Sequence, residues 1–306
     1  MPVAFTRLEL GKMVVEPLIV GLLLLAALMH ASWNAILKSD QSDRLATFGV
    51  IMTTGTAMGL CVAPFVPMIE PAAWKYMLAS VLVHVAYYAC LLKAYSYGDL
   101  SHTYPIARGL GPLLVAMVSG RFIGEELRVQ DIFGVVLLSF GLIALAMPLR
   151  SVVPRPGGRH GLATLFAVLT GFTIATYTIA DGLGVRSAGP TVEHRISYIA
   201  WLCILEGPWL LVLAVYLRPA SVWAHVRRTW YRGVIGGAIA NIGYGVAIYA
   251  LVLGPMAHVA ALRETSVLFG ALMGTLLLGE PFGSRRVAAA VVIVMGLALM
   301  NAPRLL

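Results

Sequence analysis

Charge is what this sequence has least of. Of its 306 residues only 12% are Asp, Glu, Lys or Arg, and 59% are hydrophobic. A soluble domain of that length needs a surface far richer in charge. The shortage excludes an ordinary water-soluble fold. Cysteine is scarce as well. Cys61, Cys90 and Cys203 each lie within an apolar run, with no C-x-x-C pair and no histidine at metal-ligand spacing. This excludes a disulfide framework and a zinc site, and reads as three buried small hydrophobes. Walker, dinucleotide and H-E-x-x-H motifs are missing too. No cofactor or metal is expected, and no ATP-driven pump.

The few charges sum to +8, with the arginines set between apolar runs ("RPGGRH", "HVRRTWYR", "GSRR"). Lipid headgroups and topology account for that placement. Nucleic acid is excluded as a partner, because it would need a basic face clear of apolar segments.

Long apolar runs are what the chain does have. About 20 apolar residues cross a ~30 Å hydrocarbon core. Ten runs approach that length: 18–37, 45–68, 76–97, 102–123, 129–148, 161–184, 195–217, 231–253, 256–278 and 286–302. The first continues into "HASWNAILK" and nine more runs follow, so it reads as a retained helix and not a cleaved signal. The Pro/Gly/Arg break "RSVVPRPGGRHG", Arg150–Gly161, parts the chain. The expectation is an all-α integral membrane protein of ten transmembrane helices. Residues 1–150 form a first five-helix repeat, 151–160 a linker, and 161–306 a second repeat.

The halves resemble each other. At a shift of 156 residues, Tyr88 falls on Tyr244, Gly98 on Gly254 and His102 on His258. At 155, Arg108 falls on Arg263, Gly124-Glu125 on Gly279-Glu280, and Gly141 on Gly296. At 144, "ASWN" (Ala31–Asn34) lies over "ATYT" (Ala175–Thr178). Five crossings per half is an odd number, so the second copy must be inverted. Inverted repeats with a midplane site between them belong to secondary transporters.

"HASWNAILK", the exits "GEELRVQDIFG" and "GEPFGSRRVAA", and the five-plus-five repeat together resemble the drug/metabolite transporter superfamily, EamA type. The resemblance spans nearly the whole chain. It implies a ten-helix basket, export of small metabolites and both termini in the cytoplasm. The fourth-helix signature of the aromatic amino acid exporters is absent, so that branch's substrate is not implied. Lys and Arg counts pull against the implied orientation, with 8 on the inside and 12 on the outside. Orientation stays open.

Burying a charge in hydrocarbon costs at least ~2.5–3.5 kcal/mol, so a charge at depth points to function. Arg263 and its repeat partner Arg108 are such charges. Either they flank a cavity at the midplane or they snorkel to headgroups or pair structurally. Glu264 adjoins Arg263, but adjacent helical residues do not face each other. It pairs with another helix or titrates. Glu206 is the other deep acid, one residue before Gly207-Pro208, a pair that kinks the helix and frees carbonyls toward a cavity. Glu264 and Glu206 are the proton-coupling candidates. His84 and Tyr88, four apart, share one face of the third run. Trp33 and Asn34 in the first run, Tyr177 in the sixth, and Asn241 and Tyr244 in the eighth supply polar-aromatic walls suited to an amphipathic solute. Gly55xxxGly59, Gly120xxxGly124 and Gly270xxxGly274 read as helix-packing motifs.

The reading is a secondary transporter, not an enzyme, of the cell's inner or plasma membrane, with the oligomeric state left open and a monomer compatible with it. It exports a small polar metabolite bearing an anionic group, such as an amino acid or organic acid, by alternating access, with protons as a candidate coupling ion. Trp33, Asn34, His84, Tyr88, Arg108, Tyr177, Asn241, Tyr244 and Arg263 form the substrate site. The alternatives are export of amphipathic organic cations, anion exchange, a lipid-modifying enzyme using His84 or His258, and a structural membrane subunit.

Overall fold

A computed structural model of the chain describes residues 17–40, 42–97, 100–146, 160–278 and 283–302. The linker up to residue 159, the Gly98 turn and the second exit, Gly279-Glu280, lie outside the described residues. Helix fills the described residues and no strand occurs among them. In chain order the helices are α1 (Pro17–Ser39), α2 (Arg44–Val62), α3 (Pro71–Tyr97), α4 (Leu100–Val118), α5 (Val129–Ala146) and α6 (His160–Arg186). After these come α7 (Val192–Glu206), α8 (Trp209–Leu217), α9 (Pro219–Leu253), α10 (Met256–Arg263), α11 (Ser266–Leu278) and α12 (Ser284–Asn301).

Among the described residues, seven stretches are long and apolar enough to cross a membrane: α1, α2, α3, α4, α6, the pair α7–α8, and α9. Helices α5 and α12 are shorter apolar helices. Exposed residues across all these helices include Leu18, Leu82, Phe133, Phe140, Val212 and Val291, a surface for lipid and not for water.

Two expected spans are broken. Gly207-Pro208 separates α7 from α8, as proline's missing N–H predicts. Around the kink, Thr53 of α2 donates to Gly207 O at 3.4 Å, the Trp209 indole to Leu205 O at 2.7 Å, and Thr56 to Cys203 O at 3.2 Å, which also accepts from Gly207 N. The ninth span breaks as well, at Glu264-Thr265, with neither Gly nor Pro to announce it. Thr265 instead returns its hydroxyl to Leu262 O at 2.7 Å, which holds the turn.

Packing runs mostly between the halves. α3 lies along α6 and α1 along α9; α4 lies on α6 and α1 on α11; α5 lies on α12 and α2 on α9. Glycine sets the closest approach. A Cβ on Gly296 would stand 2.6 Å from Gly134 O and 2.8 Å from Leu138 N, so α5 and α12 meet backbone to backbone. Gly55 makes room for Asn241, and a Cβ on Gly59 would stand 2.5 Å from Ala200 O, as a packing motif requires. In the other two motifs a Cβ on Gly120 would stand 3.4 Å from Leu127 Cδ1, and no close helix contact is made at Gly124 or Gly270. Gly124 ends the π turn after α4 with φ 78°, and Gly270 faces open space. Cys61 is exposed and not buried, on the outer face of α2.

Polar staples hold the ends of the bundle. Glu125, from the first Gly-Glu exit, accepts from Met256 N at 2.9 Å and so caps the start of α10. It also meets Arg186 at 2.8 Å, and Arg186 donates to Leu251 O and Gly254 O at the end of α9. Arg128 pairs with Asp131 at 2.7 Å and donates to Met300 O and Ala302 O, closing the end of α12. At the opposite end, Asp40 accepts from Thr47 at 2.5 Å and from Ser42 at 2.7 Å, and lies 3.2 Å from His225.

Candidate functional site

The break after α10 brings Arg263 and Glu264 beside Arg108 of α4. Arg108 Nε lies 2.9 Å from Glu264 Oε2, both side chains buried. The two atoms are out of line for a hydrogen bond, so the contact is coulombic. Arg108 Nη2 donates to Ser266 Oγ at 3.0 Å, and its guanidinium lies over the Tyr104 ring at 5.7 Å. Glu264 therefore pairs across helices, with α4, and not with its neighbour Arg263.

Arg263 is half-buried and faces inward. Its guanidinium sits over the ring of Tyr244 at 5.3 Å and has no ion-pair partner among the described residues. It lines two small cavities. One is shared with His30 of α1 and with Gly243 and Tyr244 of α9. The other is shared with Arg108, Glu264, Tyr177 and Thr178. Each holds about 10 Å³, room for roughly one water. A small-molecule site needs ~300 Å³ or more, so the arrangement is occluded and must open to admit a solute.

A second polar group adjoins this one. His84 Nδ1 lies 2.9 Å from Ser80 O and 2.8 Å from Glu206 Oε1, and its ring stacks on Tyr177 at 4.1 Å. Its Nε2 is 3.3 Å from the hydroxyl of Tyr244, which donates to Asp181 Oδ2 at 2.5 Å. Tyr198 donates to the other oxygen of Asp181 at 3.4 Å. Tyr244 joins the two groups, its ring to Arg263 and its hydroxyl to the acids.

The structure thus brings together Arg108, Arg263, Glu264, Tyr177, Tyr244, His84 and Glu206. Tyr88 borders them, 6.2 Å from His84 between ring centres, with its hydroxyl against Met52 Sδ at 3.9 Å. Trp33 stands further along α1, stacked on Phe48 at 5.7 Å and donating to His30 Nδ1 at 3.3 Å. Asn34 turns back to His30 O on its own helix at 2.8 Å. Asn241 donates to Gly237 O at 2.8 Å and Ile51 O at 3.3 Å, which ties α9 to α2.

Sequence reading misses Asp181 and His30. Asp181 is a single acid inside the apolar run of α6, the same signal that singles out Glu206. His30 opens the "HASWN" stretch one turn before Trp33.

The family model for EamA-like transporters matches residues 17–147 and again 161–302. The chain belongs to the EamA-like transporter family. Like other EamA proteins it is a multi-pass membrane protein, and it falls in the drug/metabolite transporter superfamily. It is 30% identical over 190 residues to Uncharacterized protein PA1977 of Pseudomonas aeruginosa, covering 62% of this chain and 61% of the relative. It is 23% identical over 201 residues to WAT1-related protein At3g02690, chloroplastic, of Arabidopsis thaliana, covering 63% of this chain and 46% of that one. The chain thus spans less than two thirds of either relative's length. A solved crystal structure matches with a TM-score of 0.68 at 17% identity, over 92% of this EamA chain and 96% of its own, and shares the fold alone.

Proposed function

We propose that this EamA protein is a secondary transporter of the cell's inner or plasma membrane. It exports a small polar metabolite carrying an anionic group, such as an amino acid or organic acid, by alternating access. One observation carries the reading: Arg108 is neutralised by Glu264, while Arg263 beside it has no counter-ion among the described residues. The site holds one positive charge in excess, in a place where an unpaired charge is costly. An anionic substrate supplies the missing partner, and a guanidinium grips carboxylate with two hydrogen bonds.

Ten crossings in two inverted repeats fit this role. Two observations support them: the family model matches twice, once per half, and the contacts exchange the halves, α3–α6 answering α1–α9 and α4–α6 answering α1–α11. Substrate then binds between the copies, with Tyr244, Tyr177 and Tyr88 shaping the space around the arginines.

The test is uptake into proteoliposomes after a thermal-shift screen of the purified protein against amino acids, organic acids, phosphonates and amines. The reading expects stabilisation by anionic or zwitterionic compounds, and saturable flux of the best of them. Stabilisation by amines alone would overturn it.

A further inference from the structure

The acids around His84 are more than the arginine site needs. Their hydrogen bonds constrain where protons can be. A phenol has one hydrogen to donate. Tyr244 gives its hydrogen to Asp181 Oδ2, at 2.5 Å. With Asp181 ionised, the Tyr244 oxygen offers His84 Nε2, 3.3 Å away, a lone pair, and Nε2 carries the hydrogen. On the other side of the ring, Nδ1 faces the carbonyl of Ser80 at 2.9 Å, an acceptor only, so Nδ1 carries one too. The Ser80 hydroxyl also lies 3.3 Å from Nδ1, and with Asp181 ionised the arrangement fits an imidazolium.

Two carboxylates flank that single imidazolium, leaving a net negative charge. Glu206 makes the excess concrete. Its Oε1 lies 2.8 Å from Nδ1, but off the line of the N–H, and it is buried without a hydrogen bond. The residue is only 5% exposed. A buried carboxylate oxygen with no donor is costly when ionised, and a proton supplies what it lacks. Asp181 differs, with one tyrosine hydroxyl on each oxygen.

We propose that His84, Glu206 and Asp181 form one proton-binding centre, in which the Tyr244 hydroxyl relays protons between the imidazole and Asp181 and links the centre to Arg263. The relay balances. The Nε2–H bond breaks as a new O–H bond forms on Tyr244, and the old Tyr244 O–H hydrogen passes to Asp181. The imidazolium and the carboxylate become a neutral pair, with Tyr244 now donating back to Nε2. No hydrogen is created and no oxidant is needed. Ionisable groups face the centre from four helices: Tyr87 and Tyr88 of α3, Tyr177 of α6, Cys203 and Tyr198 of α7, and Tyr244 of α9. The next charge along is Arg263, over the opposite part of the Tyr244 ring. Its positive charge opposes protonation of the centre, and neutralising it favours protonation. An anion on Arg263 and a proton on this centre therefore bind together. The coupling half of the inference rests on Arg263 as the anion site; the proton centre does not.

The test needs no substrate. Purified protein in lightly buffered detergent is given an acid pH jump, and bound protons per chain are read with an indicator dye. The titration belongs to the group as a whole, so variants are compared by proton number. Asp181→Asn and Glu206→Gln should each take up fewer protons than wild type, by roughly one per chain, while Asp181→Glu restores the uptake. Tyr244→Phe should split the single uptake into two separate steps. Arg263→Met should bind more protons at the same pH, and Arg263→Lys should match wild type.

Wild-type uptake in both Asp181→Asn and Glu206→Gln would overturn the centre. So would suppression of the uptake by sodium ions, which would make it a sodium site. Unchanged proton number in Arg263→Met would overturn the link to the anion site and leave the centre standing. Failure of flux in proteoliposomes bears on the transport reading alone.

Discussion

Arg108 and Glu264 meet at 2.9 Å, so the one carboxylate among the described residues that pairs with either arginine belongs already to Arg108. A substrate anion has two ways in: it takes Arg263, or it displaces Glu264. Glu264→Gln separates them. The substitution leaves Arg108 buried without its partner and should lower stability by about 3–5 kcal/mol. It also frees Arg108, so anion affinity should rise when measured by thermal shift against the best compound of the screen. Lower stability with lower affinity would show that Glu264 supports the site and does not compete for it.

Arg263 should tolerate little. Arg263→Lys keeps the charge but loses the fork, and transport should weaken. Arg263→Met removes a charge-assisted contact worth ~1.5–3 kcal/mol, a roughly tenfold to hundredfold loss of affinity. Expression should persist, because the side chain is half-buried and has no ion pair to lose. Normal transport by Arg263→Met would move the organic-cation reading ahead.

Asp40 gives a pH signature at the end of the bundle, outside the spans. Burial raises its carboxyl, but hydrogen bonds from Thr47 and Ser42, with His225 nearby, outweigh it and hold the group well below the usual carboxylate range. A depressed folded value means that the contribution to stability is present at neutral pH. It is lost as pH falls through the folded value. Asp40→Asn should melt below wild type at neutral pH, and the gap should close in acid. A gap that widens on acidification would refute the sign.

Gly296→Val should be among the costlier small-to-large changes in the chain. Its first added atom meets Gly134 O at 2.6 Å and Leu138 N at 2.8 Å, and backbone cannot rotate away. A loss of about 1–3 kcal/mol or more is expected in thermal unfolding, whereas Gly270→Val, in open space, should leave the melting temperature unchanged.

Much of this was legible in residue order. Hydrophobic runs locate the helices because length and apolarity are what a bilayer demands of a crossing segment. Gly207-Pro208 marks its own kink. Arg108, Arg263, Glu264 and Glu206 stand out because charge in an apolar run is rare. The same rule reaches Asp181. What the order of residues does not carry is partnership. That Glu264 belongs to Arg108, or that one hydroxyl serves both His84 and Asp181, depends on how five helices are rotated about their axes. The break at Glu264-Thr265 was hidden for a related reason. No Pro or Gly sits there, and tertiary contacts, with a threonine hydroxyl turned onto its own backbone, end the helix.

The glycine contact between α5 and α12 fixes where the molecule can bend. Backbone touches backbone there, and Arg128 bonds the carbonyls of Met300 and Ala302 at its end. Parting these helices would break all of it at once, together with the buried contacts of Leu138, Leu142, Ile293 and Met300. An opening that admits a solute to the arginines keeps this contact shut and swings the other helices about it. The fulcrum of such a carrier is then a rigid pair of helices, and not a flexible loop.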